Sequence, residues 1–391
     1  MEHAELIDSA EALEALCAHL QQQRWFALDT EFVREKTYYP KLCLIQVATA
    51  QQVACIDPLH ISDLSPFLAC LHNPAITKVL HAASQDLELF YCLDGRVPAP
   101  IFDTQLAGAL LGYGDQAGYA KLVSAMLGVE LDKDMTRTDW SQRPLSAAQL
   151  RYAEDDVRYL AQLYPLMHTQ LSETRRLEWL ASDFAALSEA RHYESQPAKA
   201  WKRIKGHQTL RGPQLAVLAS LASWRESEAM RANRPRRWII ADDPLLDMAR
   251  QQPNTAEKLA RIRGVNEGSL RRYEGALLNA IAQGKQLPQE QWPQLSLRTR
   301  LEPPQEALVE VAMGLLKHQA HLHQISPLAI GGRHELELMI QGETETALDQ
   351  GWRARLVGGV IRQWLAGELS LQVSQDALIL QPLAQQTIQK A

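Results

Sequence analysis

Three short stretches of the chain set carboxylates among apolar neighbours. Residues 26–32 carry Asp29 and Glu31, residues 81–86 carry Asp86, and residues 152–156 carry Tyr152 and Asp156. Asp29 and Glu31 stand two apart on a segment that reads as a strand, so both point to one face. Tyr152 and Asp156 stand four apart on a segment that reads as a helix, so they share a face as well. Four acids drawn together repel one another unless cations lie between them. The chemistry that suits such a set is hydrolysis of a phosphodiester by two hard divalent ions, Mg²⁺ or Mn²⁺, which prefer oxygen ligands. In that reading Asp29 bridges both ions, Glu31 and Asp156 complete the site of the nucleophile's ion, and Asp86 holds the second ion, directly or through water. The Tyr152 hydroxyl, with an ordinary pKa near ~10, orients the attacking water and is not a full base.

The elements that must position these groups follow from periodicity. An amphipathic helix over 9–23 leads into apolar runs at 25–28, 42–48 and 53–56, separated by turn-like residues, which predicts a β-meander. Strands near 76–80 and 100–102 alternate with helices near 84–92, 104–111 and 119–127. Ser146 and Gln149 form a capping-box pair at the start of a longer helix. Strands followed by alternating strands and helices predict an α/β domain with a mixed sheet. From about 210 the pattern is helical only. Asp242-Asp243-Pro244 and Pro253-Asn254-Thr255 mark helix starts, and a further helix is expected from about 267 to 281. A proline-containing linker over 284–304 separates this unit from helices expected at 305–318, 327–338 and 352–365. The similar order of helices suggests two diverged copies.

The chain has 391 residues, an apolar share of 46% and a charged share of 22%, enough for two or three domains with proper cores. The acidic N-terminus offers no secretory signal and no apolar run reaches the length of a membrane span, so a cytoplasmic protein is expected. The five cysteines lack CxxC spacing, which disfavours zinc and fits reduced core thiols. The net charge of −6 argues against a nucleic-acid partner. Its distribution argues for one, because from Trp201 to Lys285 Lys and Arg outnumber Asp and Glu two to one.

Asp29-x-Glu31, Asp86 and Tyr152-x-x-x-Asp156 together resemble the three motifs of the four-acid (DEDD) 3′-to-5′ exonuclease superfamily, tyrosine subclass. The runs Asp29–Arg34, Thr37–Pro40, Leu44–Gln46, His81–Glu88, Ile101–Gln105, Thr138–Trp140 and Arg143–Ser146 resemble ribonuclease D more closely still. The basic helical stretch is similar to a helicase-and-RNase-D C-terminal domain. The resemblance implies a ribonuclease H-like exonuclease domain over 1–170, a connecting helical segment over 171–209, and two small all-α domains over 210–289 and 300–375. It implies a 3′-to-5′ exoribonuclease that releases 5′-mononucleotides and trims tRNA precursors carrying a 3′ trailer, with no membrane and no obligate protein partner. Rival readings are a DNA-directed exonuclease of the same superfamily and a non-catalytic RNA-binding protein on this fold.

Softer candidates complete the reading. Phe32, His81 and Gln85 adjoin motif residues and could stack on or hydrogen-bond the terminal nucleotide, or simply pack. Lys133, Trp140 and Arg143 lie in a polar loop and could line the RNA path, or be solvated. Arg234, Arg236, Arg237, Arg263 and Arg271 are candidates for phosphate contacts. Trp224, Trp238 and Tyr273 read mostly as core, so recognition by backbone and shape is expected, with little base stacking. Asp103 rivals Asp86 but is better read as the cap of the helix that starts at Thr104.

Overall fold

The computed structural model describes residues 5–131, 138–295, 300–375 and 377–383. A three-residue strand, β1 (Glu5–Ile7), precedes helix α1 (Ala10–Leu20), whose start is capped by Ser9. The meander follows as β2 (Trp25–Val33), β3 (Lys41–Ala48) and β4 (Val53–Ile56). Next come α2 (Ser65–Leu71), β5 (Thr77–Leu80), α3 (Ser84–Asp94), β6 (Ile101–Asp103), α4 (Thr104–Leu110), α5 (Tyr119–Leu127) and α6 (Ala147–Glu173). The sheet order is β1-β4-β3-β2-β5-β6. β2, β3 and β4 pair antiparallel, while β1 with β4, β2 with β5, and β5 with β6 pair parallel, which makes the mixed sheet the sequence predicts. In this part of the chain β1 and α2 are new relative to the sequence reading. Three residues at a sheet edge are too short for an alternation signal, and the seven of α2 are too few for a clear helical period.

β2 sits in the middle of this sheet and presents different chemistry to its two sides. Phe26 and Leu28 enter the core formed with α1, α2 and α3, whereas Ala27 packs with Val157 and Leu160 of α6. Alternation therefore aims Asp29 and Glu31 at α6 and Thr30 at α3. Asp29 pairs with Gln46 and Glu31 with Leu44, and the register shifts between Glu31 and Phe32. Such an irregularity bends a strand and re-aims its side chains, and it falls at the end of the acidic pair.

After α7 (Ala181–Leu187) the chain enters the first helical unit: α8 (Gly212–Ala232), α9 (Arg236–Ile239), α10 (Asp242–Gln251), α11 (Ala256–Ala260) and α12 (Glu267–Gln286). Its core reaches back before residue 210, because Ala200, Trp201 and Ile204 are buried with Leu215, Leu218 and Leu277. The sequence reading starts a linker at Gly284, but α12 runs past it. A Cβ at Gly284 would lie 2.5 Å from the Val217 Cα, so glycine is what lets α12 press onto α8.

The second unit comprises α13 (Pro303–Leu322), α14 (Pro327–Ile330), α15 (Arg333–Ile340), α16 (Gly351–Arg353) and α17 (Gly359–Leu365). A hairpin of β7 (Leu369–Ser374) and β8 (Ala377–Pro382), absent from the sequence reading, follows it. This unit shares one apolar core with the N-terminal α/β domain. Trp352 stacks on Trp179 with centroids 5.2 Å apart, and the Ser326 amide donates to the Ala109 carbonyl at 2.9 Å. The first unit docks through polar contacts instead. The amides of Tyr38 and Tyr39 both donate to Asn233 Oδ1 at 3.1 Å, and the Tyr38 hydroxyl donates to buried Glu226 at 2.5 Å. Among the described residues no helix is long and apolar enough to cross a membrane.

Candidate active site

Carboxylate oxygens of Asp29, Glu31 and Asp156 lie within 4.8 Å of one another. β2 supplies the first two. α6 supplies the third, and it is set in register by the reciprocal hydrogen bonds of Ser146 and Gln149 at its start. The loop leading into α6 is stapled down by Arg143. Its guanidinium donates to both oxygens of buried Asp57 (2.6 and 2.8 Å) and to the Cys43, Trp140 and Gln142 carbonyls. Trp140 is 3% exposed and packs against the Tyr152 ring at 6.1 Å. This corrects the expectation that Trp140 and Arg143 line an RNA path: both are spent on holding α6 and Tyr152. Lys133 lies outside the described residues.

Asp86 stands apart from the trio. It is 7% exposed and sits in the first turn of α3, where its carboxylate accepts the Thr30 hydroxyl at 2.5 Å. The loop before α3 is strained, with Ala82 at a φ of 53°. Asp103 holds that loop. Its two oxygens accept from the Ala82 and Ala83 amides (3.2 and 2.9 Å) while also capping α4 through the Gln105 and Leu106 amides. The capping role expected for Asp103 is present, and the bracing of the loop below Asp86 is added to it.

Burial, then mutual repulsion, sets the electrostatics. Loss of water raises Glu31 to about 9, with Asp29, Asp156 and Asp86 adding to the shift. Asp156 rises to about 7 through burial and Asp155, and a hydrogen bond from the Tyr152 hydroxyl opposes this. Asp29 and Asp86 are also pushed well above the carboxylate range, chiefly by burial and then by Asp156 and Asp29 respectively. Among the described residues no lysine, arginine or histidine forms an ion pair with any of the four. Of the three consecutive acids on α6, only Asp156 joins the trio. Glu154 pairs with Arg158, and Asp155 lies 3.9 Å from the same guanidinium.

The all-oxygen donor set, uncompensated by protein cations, fits hard divalent ions. Gln46 adds to the fit. It pairs with Asp29 across the ladder, is fully buried, and neither its amide nitrogen nor its oxygen has a hydrogen-bond partner among the described residues. The sequence reading passed over Gln46, Thr30 and Tyr119. The Tyr119 hydroxyl donates to the Asp155 carbonyl at 2.9 Å, and its ring lies 5.6 Å from that of His81. Burial and the nearby Asp156 and Asp29 carboxylates push the Tyr119 phenol well above its usual range. Thr30 lies inside the first acidic stretch and Gln46 in the Leu44–Gln46 run that carries the resemblance, whereas no local signal marks Tyr119.

The softer candidates divide. Gln85 lines a cavity of about 770 Å³ between the N-terminal α/β domain and the first helical unit, together with Arg34, Tyr38, Tyr193, Arg203 and Arg236. His81 shares a hydrogen bond of 3.0 Å with Thr104, and half-buried Phe32 packs against the α3-side core. Arg236 is not free for phosphate: it is paired with Glu226, and its guanidinium lies 4.8 Å from the Tyr38 ring centroid. Arg234, Arg237, Arg263 and Arg271 are exposed, the last beside Glu267 at 3.6 Å. Trp224 and Tyr273 pack together as expected, at 5.4 Å, but Trp238 is 59% exposed and is not core.

A mixed sheet carrying three converging acids, with a separate helical unit behind it, is the architecture of a 3′-5′ exonuclease. The family profile of that description matches residues 4–172, and the HRDC domain profile matches residues 214–281. Over most of its length the chain is 40% identical to the ribonuclease D of Acidiphilium cryptum (372 residues, 94% of each chain). It is 37% identical to that of Bartonella henselae over 374 residues, 94% of this chain and 92% of the other. The crystal structure of Escherichia coli RNase D matches with a TM-score of 0.82 at 32% identity, covering 94% of this chain and 99% of that one. The chain belongs to the ribonuclease D family of 3′-to-5′ exoribonucleases.

Proposed function

We propose that this enzyme removes nucleotides from RNA 3′ ends by a two-metal mechanism and that its substrates are structured RNAs, tRNA precursors with a 3′ trailer foremost. The convergence of Asp29, Glu31 and Asp156 within 4.8 Å, with Asp86 behind them, carries the metal reading. RNase D of Escherichia coli is an exoribonuclease involved in structured RNA processing, which supports the substrate class. Asp29, Glu31 and Asp156 would hold one Mg²⁺ or Mn²⁺, and Asp29 with Asp86 the other. When bound, the ions supply an activated water and neutralise the leaving 3′ oxygen. The Tyr152 hydroxyl, already directed at Asp156, orients the attacking water. Gln85, facing the large cavity, would contact the terminal nucleotides, with His81 and Phe32, which lie outside that lining, as further candidates for contact with the terminal base. Asp156 serves in the acid set because its α6 neighbours point elsewhere.

The second helical unit we read as a diverged copy of the first. Cytoplasmic action fits five unpaired cysteines, four of them buried. The test is digestion of a 5′-labelled tRNA precursor bearing a short 3′ trailer, beside a DNA oligomer of matched sequence. Stepwise shortening of the RNA from its 3′ end, with 5′-mononucleotides as products and the DNA left mostly intact, supports the reading. Equal degradation of DNA, or internal cuts, would contradict it.

A further inference from the structure

Trp238 departs from the pattern set by the other tryptophans. Among the described residues it is the exposed one of nine, and its ring has no aromatic or cationic partner. The backbone beneath it is firmly held. Ile239 and Ile240 are buried, the Ile240 carbonyl accepts from the Arg225 guanidinium at 2.9 Å, and Arg236 is locked to Glu226 and Tyr38. The ring therefore faces outward from a fixed turn and not from a frayed end. Two guanidiniums precede it closely in sequence. Arg237 is 77% exposed and approaches Asp242 only at 3.9 Å, and exposed Arg234 has no ion pair among the described residues. The next cation, Arg231, is neutralised by Glu228 at 2.7 Å. A bare indole beside two exposed, weakly engaged cations repels another copy of itself and complements a strand that offers both a π-face and phosphates. Arg236 of the same turn lines the cavity whose other wall holds Gln85, the neighbour of Asp86.

We propose that Trp238 is a stacking platform for a nucleobase upstream of the 3′ terminus, with Arg237 and Arg234 gripping the adjoining phosphates. The first helical unit then holds single-stranded RNA by base stacking as well as by charge. The inference rests on the reading of the chain as an RNA-degrading enzyme, and its test separates the two.

The test measures binding of the full-length chain to labelled 12-nucleotide oligoadenylate and to a 12-unit abasic ribose-phosphate oligomer, by fluorescence anisotropy in EDTA. Wild type binds the base-bearing oligomer more tightly. Trp238→Ala lowers that affinity about tenfold, within the range of single base–aromatic stacks, and leaves the abasic affinity unchanged. Trp238→Phe retains most of the difference, and Arg237→Ala weakens both oligomers. Unchanged oligoadenylate affinity in Trp238→Ala, or an equal loss for both oligomers, overturns the stacking site. So does an unchanged affinity with a shifted sedimentation mass, which would make the face a contact between copies. Failure of wild type to bind either oligomer overturns the RNA reading itself.

Discussion

Replacing Glu226 by Gln tests how the first helical unit is fixed to the exonuclease domain. The Glu226 side chain is 1% exposed and gathers the Tyr38 hydroxyl at 2.5 Å, the Arg236 guanidinium at 2.7 Å through Nη2 and again through Nε, and Ser195 at 3.2 Å. Burial raises its pKa, but Arg236, then the Tyr38 hydroxyl and Arg203, outweigh it and hold the carboxyl below the ordinary range. Removing one partner of a buried pair costs roughly 3–5 kcal/mol. Arg236 is a third exposed and recovers some hydration, so about 2–3 kcal/mol is the fitting magnitude here. That shifts the docked-to-undocked balance by roughly 30- to 150-fold. Hydrogen exchange on the full chain should therefore speed up at the Tyr38 and Tyr39 amides, which Asn233 now protects, while the amides of β5 hold. Unchanged exchange at Tyr38 and Tyr39 would refute the reasoning, and so would uniform acceleration through β5.

Other outcomes follow from the same geometry. Arg143→Ala should cost about 2–3 kcal/mol, less than the full cost of an unpaired buried charge, because the Asp57 carboxylate keeps His60 and the Leu59 amide as partners; a drop in melting temperature checks this, and an unchanged melt would show that the loop is held otherwise. Glu31 at about 9 and Asp156 at about 7 bind more protons folded than unfolded across the neutral range. Metal-free protein should thus lose stability as pH rises from about 5 to 9, and Mg²⁺ should flatten that fall by taking the place of the protons. Melts in EDTA that rise with pH over this window would contradict the sign. Asp156→Ala should abolish nucleotide release while Asp155→Ala largely keeps it, and equal loss on a labelled RNA would overturn the choice between them.

Much of the exonuclease domain was legible because its signals are local. The 3.6-residue periodicity, the Ser146–Gln149 capping box and the Asp103 cap act within a few residues, and the elements they predict are present. The acidic pair on β2 was readable from alternation alone. What the sequence hid depends on partners far along the chain. Arg143 reads as a loop cation until Asp57, 86 residues earlier, is seen to claim it. Arg236 reads as a phosphate contact until Tyr38 and Glu226 enclose it. Trp238 was misread in the opposite sense, since apolar character suggests burial and only tertiary contacts reveal which aromatic is left outside. The β7–β8 hairpin was missed although Leu369–Ser374 alternates apolar and polar residues, because the run is short, follows a stretch read as helical and loses its burial along its length, with Val373 80% exposed.

The central claim, that carboxylates from three segments converge to hold a pair of divalent ions, is tested most directly by Mn²⁺ binding to the full chain, followed by electron paramagnetic resonance. Wild type should take up two ions per chain, and Asp29→Asn, folded by circular dichroism, should lose both or keep one weakly. Absence of saturable binding to wild type, or unaltered stoichiometry and affinity in Asp29→Asn, would contradict it.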